Sequence, residues 1–135
     1  MARFKMRRGS RGFTLIELMI VISIMLILIA IAVPAYNRSI IHAREAVLKQ
    51  DLFQLRSLIS QYTLDKQKAP ESLDDLVSAG YLKQIPKDPF TGASDWTTEQ
   101  EEDTILDPSQ TETGIDDVHS ASSQTSSDGS AYSSW

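Results

Sequence analysis

The chain has 135 residues, with 13 basic residues against 18 acidic ones, two histidines and no cysteine. Domains need about 100 to 150 residues to build a core, so this length fits one small domain beside an apolar segment and argues against an enzyme with a deep cleft. The missing cysteine excludes a disulfide scaffold, a thiolate metal site and a cysteine nucleophile, and the acidic balance argues against nucleic acid, which calls for clustered Lys and Arg.

The charge is unevenly placed. Arg3, Lys5, Arg7, Arg8 and Arg11 precede Phe13 with no acid among them, and the rest of the chain carries a net charge of about −10. From Phe13 to Val33 only Thr14, Glu17 and Ser23 interrupt an apolar run of about 21 residues, roughly 31 Å at helical rise and enough to cross a bilayer core. Basic residues on its near side predict an amino terminus in the cytoplasm and a carboxyl-terminal domain outside. The run is too long for the core of a secretory signal, although "IAIAVPA" offers small residues for a cut near its end.

Glu17 is the anomaly of the span. A carboxylate near a helix centre costs about 2.5 to 3.5 kcal/mol on insertion scales, less near the interface, so it needs the headgroups or a cationic partner. No Lys or Arg lies inside the span. A chain cut between Gly12 and Phe13 would place the new Phe13 amine about one helical turn from Glu17, within a chain or from a neighbour. The carboxylate would then set register, because an unneutralised charge penalises every packing that leaves it alone.

The stretch "RGFTLIELMIVISIMLILIAIAVPAY" resembles the amino terminus of the type IV pilin and type II secretion pseudopilin superfamily: a basic leader ending in Gly12, then Phe13, Glu17 and the apolar run, with Pro34 and Tyr36 beyond it. The resemblance implies that a prepilin peptidase cuts after Gly12, that Phe13 becomes the N-methylated terminus, and that Glu17 guides subunit docking. It divides the chain into a leader (1–12), a transmembrane and filament-core helix (13–33), an amphipathic stalk helix (34–66) and a small extracytoplasmic domain (67–135).

Pro34 lacks an N–H and clashes with the preceding turn, so a kink or loosening is expected between Ile31 and Pro34. Helical periodicity then resumes. Ile41, Leu48, Leu52, Leu55, Ile59 and Tyr62 line one face, and Glu45 with Lys49 makes an i, i+4 pair on another. The apolar face is expected to pack on the chain's own domain; the resemblance adds neighbouring subunits around the lower half. His42, without a second ligand nearby, reads as an ordinary stalk histidine.

Pro70 ends the stalk, and a second short helix follows with Ser72 and Asp75 as a box-like amino cap, Leu73, Leu76 and Val77 as its apolar face, and Gly80 as its stop. Tyr81, Leu82 and Ile85 are expected to tuck under the domain, and Pro86, Pro89 and Gly92 form a turn region. "IPKDPFTG" resembles the corresponding turn of major pseudopilins. "SDWTTEQ" and "GIDDVHS" read as short strands separated by the acidic, loop-like "EQEEDTILDPSQTET", giving an α+β domain with two or three short antiparallel strands.

The final "SASSQTSSDGSAYSSW" has the composition of a flexible tail, but Tyr132 and Trp135 have little reason to end a polar tail unless they dock. Major pseudopilins often close such a loop on calcium. Asp117 and Asp128 are the calcium candidates here, with Ser hydroxyls and backbone carbonyls as further oxygens toward the six to eight that calcium needs, in a loop with fewer acids and glycines than that pattern and a spacing that is not an EF-hand. Docking by the aromatics alone is the stronger expectation, and no cofactor is required.

No catalytic constellation emerges, since His42 and His119 lie on different segments and the serines sit in low-complexity sequence. The expected function is structural: a major pseudopilin, held in the bacterial inner membrane and then extracted into a short homopolymeric periplasmic filament that drives type II secretion. The resemblance implies minor pseudopilins, the prepilin peptidase and an inner-membrane platform protein as partners, with no nucleic acid. The alternatives are a type IV pilus or DNA-uptake pilin subunit, and, in a different class, a single-span membrane-anchored binding module.

Overall fold

A computed structural model describes residues 9, 11–100 and 114–135; the basic residues Arg3, Lys5, Arg7 and Arg8 and the acidic stretch 101–113 lie outside the described residues. The chain packs as two units, one ending at Arg38 and the other running Ser39–Trp135. Helix α1 (Leu15–Lys66, 52 residues) contributes to both.

In the first unit, the large apolar side chains from Leu15 to Val33 are 48–82% exposed, so this segment needs lipid or other helices around it. The Ser23 hydroxyl donates to the Met19 carbonyl at 2.7 Å, which satisfies it without leaving the helix. Pro34 does not interrupt the helix: α1 continues through it although the ring can offer no N–H to the preceding turn.

In the second unit, α1 presents Leu48, Leu52, Leu55, Ile59 and Tyr62 at spacings of 4, 3, 4 and 3, and all five are buried. Each aliphatic side chain so buried contributes about 1.5 to 3 kcal/mol. The buried stripe does not begin at Ile41, which is 42% exposed, but at Glu45, which is buried. The expected Glu45–Lys49 pair is therefore corrected. Glu45 belongs to the inward face, while the Lys49 ammonium stands 4.5 Å over the Trp135 ring.

Helix α2 (Leu73–Ser78) follows Pro70 as expected. The Asp75 carboxylate reaches back to accept the backbone N–H groups of Glu71 (2.8 Å) and Ser72 (3.1 Å). Leu73 and Leu76 enter the core, and the chain leaves the helix through Gly80 at φ 85°. Tyr81 and Ile85 pack on the core edge, where Tyr81 meets Tyr62 edge to face and donates to Asp65 at 2.6 Å.

Strands β1 (Thr97–Gln100) and β2 (Ile115–His119) pair antiparallel, with Thr97 opposite His119 and Glu99 opposite Asp117, and an irregularity between Glu99 and Gln100. The α+β architecture thus has two strands among the described residues. Ile115 and Val118 point into the core against α1, and Trp96 closes it, its indole N–H donating to the Pro86 carbonyl at 2.8 Å. β2 enters through a close approach: the Ile115 N–H donates to the Pro70 carbonyl at 2.8 Å, and a Cβ on Gly114 would lie 2.2 Å from that of Ala69.

Candidate functional site

Two regions carry the residues singled out from the sequence. The first is the start of α1. Thr14 precedes the helix, and its hydroxyl accepts the Glu17 N–H at 3.2 Å, which satisfies one of the free donors of the first turn. Glu17 therefore lies in the first turn, where the partial positive charge of the helix end favours a carboxylate. Phe13 and Glu17 line the same recess with Leu18 and Val21, about 180 Å³ in volume. An ammonium on Phe13 would sit at the unfavourable end of that dipole, and Glu17 is the neighbouring group with the charge to offset it.

The second region is the carboxyl-terminal tail, which is ordered rather than loose. Tyr132 is 1% exposed, stacks on Phe90 with centroids 3.9 Å apart and meets Trp135 edge to face. The docking expected of the two aromatics is thus present. A short 3₁₀ turn (Tyr132–Ser134) carries them, after a tight reversal in which Thr125 bridges Ala131 and Gly129 takes φ 91°.

Three charged residues, none of them assigned to the tail from the sequence, fasten it. Glu45 accepts the Ser127 N–H and hydroxyl, both at 2.7 Å, and the Tyr132 hydroxyl at 2.9 Å. Burial pushes the Glu45 pKa up, but the Ser127 and Tyr132 donors, helped by His42 at 3.4 Å, outweigh it and hold the carboxyl below its ordinary range. For Tyr132, burial and the Glu45 carboxylate push the phenol up to about 12. Asp88, fully buried in the "IPKDPFTG" turn, accepts the Phe90 N–H at 2.8 Å and the Ser120 hydroxyl. Arg56 donates from Nε to Asp117 Oδ1 at 2.5 Å, and from Nη2 to the Val118 carbonyl at 2.9 Å and the Trp135 main-chain oxygen at 2.8 Å.

These contacts bear on the calcium candidates. Asp117 Oδ1 already accepts from Arg56 and from the Val118 N–H, and Asp128 Oδ1 accepts from the Ser126 hydroxyl and from the Ser130 hydroxyl and N–H. The serine donors hold the Asp128 carboxyl down at about 2. Calcium needs six to eight free oxygens in one shell. At each aspartate Oδ1 is taken up by N–H and O–H donors and the Arg56 guanidinium stands beside Asp117, so neither carboxylate offers both oxygens to a calcium shell of that size.

Sequence spacing contained the signal for Glu45, which stands three residues before Leu48 in the same 3-and-4 rhythm. Arg56 and Asp88 gave no such signal, since their partners lie tens of residues away in the chain.

Comparison with known proteins matches the first of these regions directly. A family model described as the prokaryotic N-terminal methylation motif matches residues 7–33. The type II secretion system core protein G of Klebsiella michiganensis is 31% identical over 102 residues, covering 64% of this chain and 72% of that protein. The protein of the same name from Pseudomonas aeruginosa is 34% identical over 100 residues, covering 62% and 70%. The type IV major fimbrial protein FimA of Dichelobacter nodosus is 42% identical over 66 residues, covering 49% of this chain but only 41% of that protein. No solved structure matches.

Proposed function

The chain belongs to the family of the type II secretion system core protein G, and on that premise we propose that it is the major pseudopilin of such a system, a structural subunit with no catalytic role. Residues 1–12 form the leader, the prepilin peptidase cuts after Gly12, and Phe13 becomes the N-methylated terminus. Before assembly the chain is a single-span inner-membrane protein with its carboxyl-terminal domain in the periplasm. It is then drawn into a short periplasmic filament with copies of itself, in company with minor pseudopilins and a platform protein.

The observation that carries this reading is an apolar helix left uncovered by its own chain, with one carboxylate in its first turn four residues beyond Phe13. Such a helix is costly in water and consistent with a bundle core. In that bundle Glu17 pairs with a Phe13 amine, and subunits out of register leave both charges unpaired. The proposal needs no calcium to fasten the tail; what supports this is that Asp117 Oδ1 and the Trp135 main-chain oxygen accept from Arg56, and Asp128 Oδ1 from serine donors.

Glu17→Ala tests the assembly step. The variant is expected to insert and lose its leader normally while filaments, measured by shearing or cross-linking, are abolished or slowed; normal filaments from it would remove Glu17 from the mechanism. The similarity to a fimbrial protein supports a second reading, a type IV pilus subunit. Deleting the chain separates the two: loss of secreted enzymes with surface fibres intact is the expected result, and the reverse pattern would assign it to a pilus.

A further inference from the structure

Across the β1–β2 pair, Glu99 and Asp117 are directly opposed, an arrangement that destabilises a sheet unless positive charge lies between them. His119 sits beside both, its Nε2 at 3.4 Å from Glu99 Oε1 and 3.5 Å from Asp117 Oδ2. The state of that nitrogen follows from the other side of the ring. Nδ1 lies 2.6 Å from the Trp135 main-chain oxygen, which can only accept, so Nδ1 carries a hydrogen. Asp117 is oriented likewise: Arg56 and the Val118 N–H hold its Oδ1, which leaves Oδ2 turned to the histidine.

One ligand atom from each of Glu99, Asp117 and His119 therefore lies within 4.8 Å of the other two, with His119 Nε2 facing Glu99 Oε1 and Asp117 Oδ2. A proton on Nε2 or a metal ion would relieve their repulsion, and the distances separate the two. A charge-assisted N–H···O bond closes to about 2.7 to 2.9 Å. The edge of a tetrahedron with metal–ligand bonds of 2.0 to 2.1 Å is about 3.3 to 3.4 Å, close to the two spacings from His119 Nε2 to the carboxylates. A histidine with its far nitrogen bonded to a main-chain oxygen, and a carboxylate fixed through its second oxygen, are also the outer supports that metal ligands have.

We propose that Glu99, Asp117 and His119 form a binding site for a divalent transition metal of the zinc class, with the remaining coordination open to water. One nitrogen and two carboxylate oxygens suit zinc and fall short of the oxygen cage that calcium takes. The ion would tie β1 to β2 and, through His119 and Trp135, both strands to the end of the tail. The site is independent of leader processing and filament assembly.

The test uses the full chain in detergent micelles, free of any histidine tag, stripped with EDTA and desalted. Titration with Zn²⁺ by calorimetry should show one ion per chain, and Co²⁺ should develop the visible absorption of a tetrahedral or five-coordinate site. Glu99→Gln, at a side chain 62% exposed, should weaken Zn²⁺ by about tenfold or more while leaving the circular dichroism unchanged, and His119→Gln should remove binding. Absence of stoichiometric Zn²⁺ and Co²⁺ binding by the unaltered chain, or binding that Glu99→Gln leaves at full strength, would overturn the proposal. The Glu99→Gln variant decides the matter even where the histidine change disturbs the fold.

Discussion

Glu45 is the residue on which the tail turns. Its carboxylate gathers three donors from Ser127 and Tyr132, and removing it strands them in a buried site. Glu45→Ala is expected to destabilise the domain by about 3 kcal/mol, and Glu45→Gln by about 1 kcal/mol, since the amide keeps the shape and loses the charge. The same pair sets a pH window. The folded Glu45 pKa is depressed, so its contribution is present above the ordinary carboxylate range and is lost as the pH falls through the folded value. The Tyr132 pKa is raised to about 12, so its contribution is complete below the ordinary value near 10 and is lost as the pH climbs from there to about 12. Thermal melts followed by tryptophan fluorescence should show both limbs. Tyr132→Phe should remove the alkaline limb, and Glu45→Gln should flatten the acid one; an unchanged profile in both variants would show that this pair does not govern the tail.

At the scale of elements, periodicity read the molecule well wherever a face is apolar. Leu48, Leu52, Leu55, Ile59 and Tyr62 announced the inward stripe of α1, Ser72, Asp75 and Gly80 bounded α2, and the short strand-like runs around Trp96 and Val118 placed both strands. The tail shows where composition misleads. Serine-rich sequence usually stays loose because it buries little apolar surface, but here hydroxyls take specific partners: Ser120 binds Asp88, Ser127 binds Glu45, and Ser126 and Ser130 close on Asp128. Those partners come from distant segments or from a local turn, and neither leaves a period in the sequence. The close approach of β2 to the segment before α2 was equally silent. Gly114→Ala would force a Cβ into the buried Ala69 and is expected to cost about 2 kcal/mol by urea or thermal denaturation.

For the whole molecule, the division of labour is plain in where its apolar surface goes. The second unit buries its own core, while the helix ahead of it keeps its leucines, isoleucines and methionines outward, so it is soluble only in lipid or among like helices. On the proposed function the chain is moved between those two surroundings, and Glu17 is the group that would distinguish one from the other: costly alone in a bilayer, neutralised where an amine meets it. The account therefore depends on that amine existing. Mass spectrometry of the amino terminus of the chain purified from its native membrane tests it most directly. A mature chain beginning at Phe13 and bearing one methyl group is the predicted result; a chain retaining Met1, or cut near Ala35, would contradict it and leave a single-span anchored module or a secreted domain in its place.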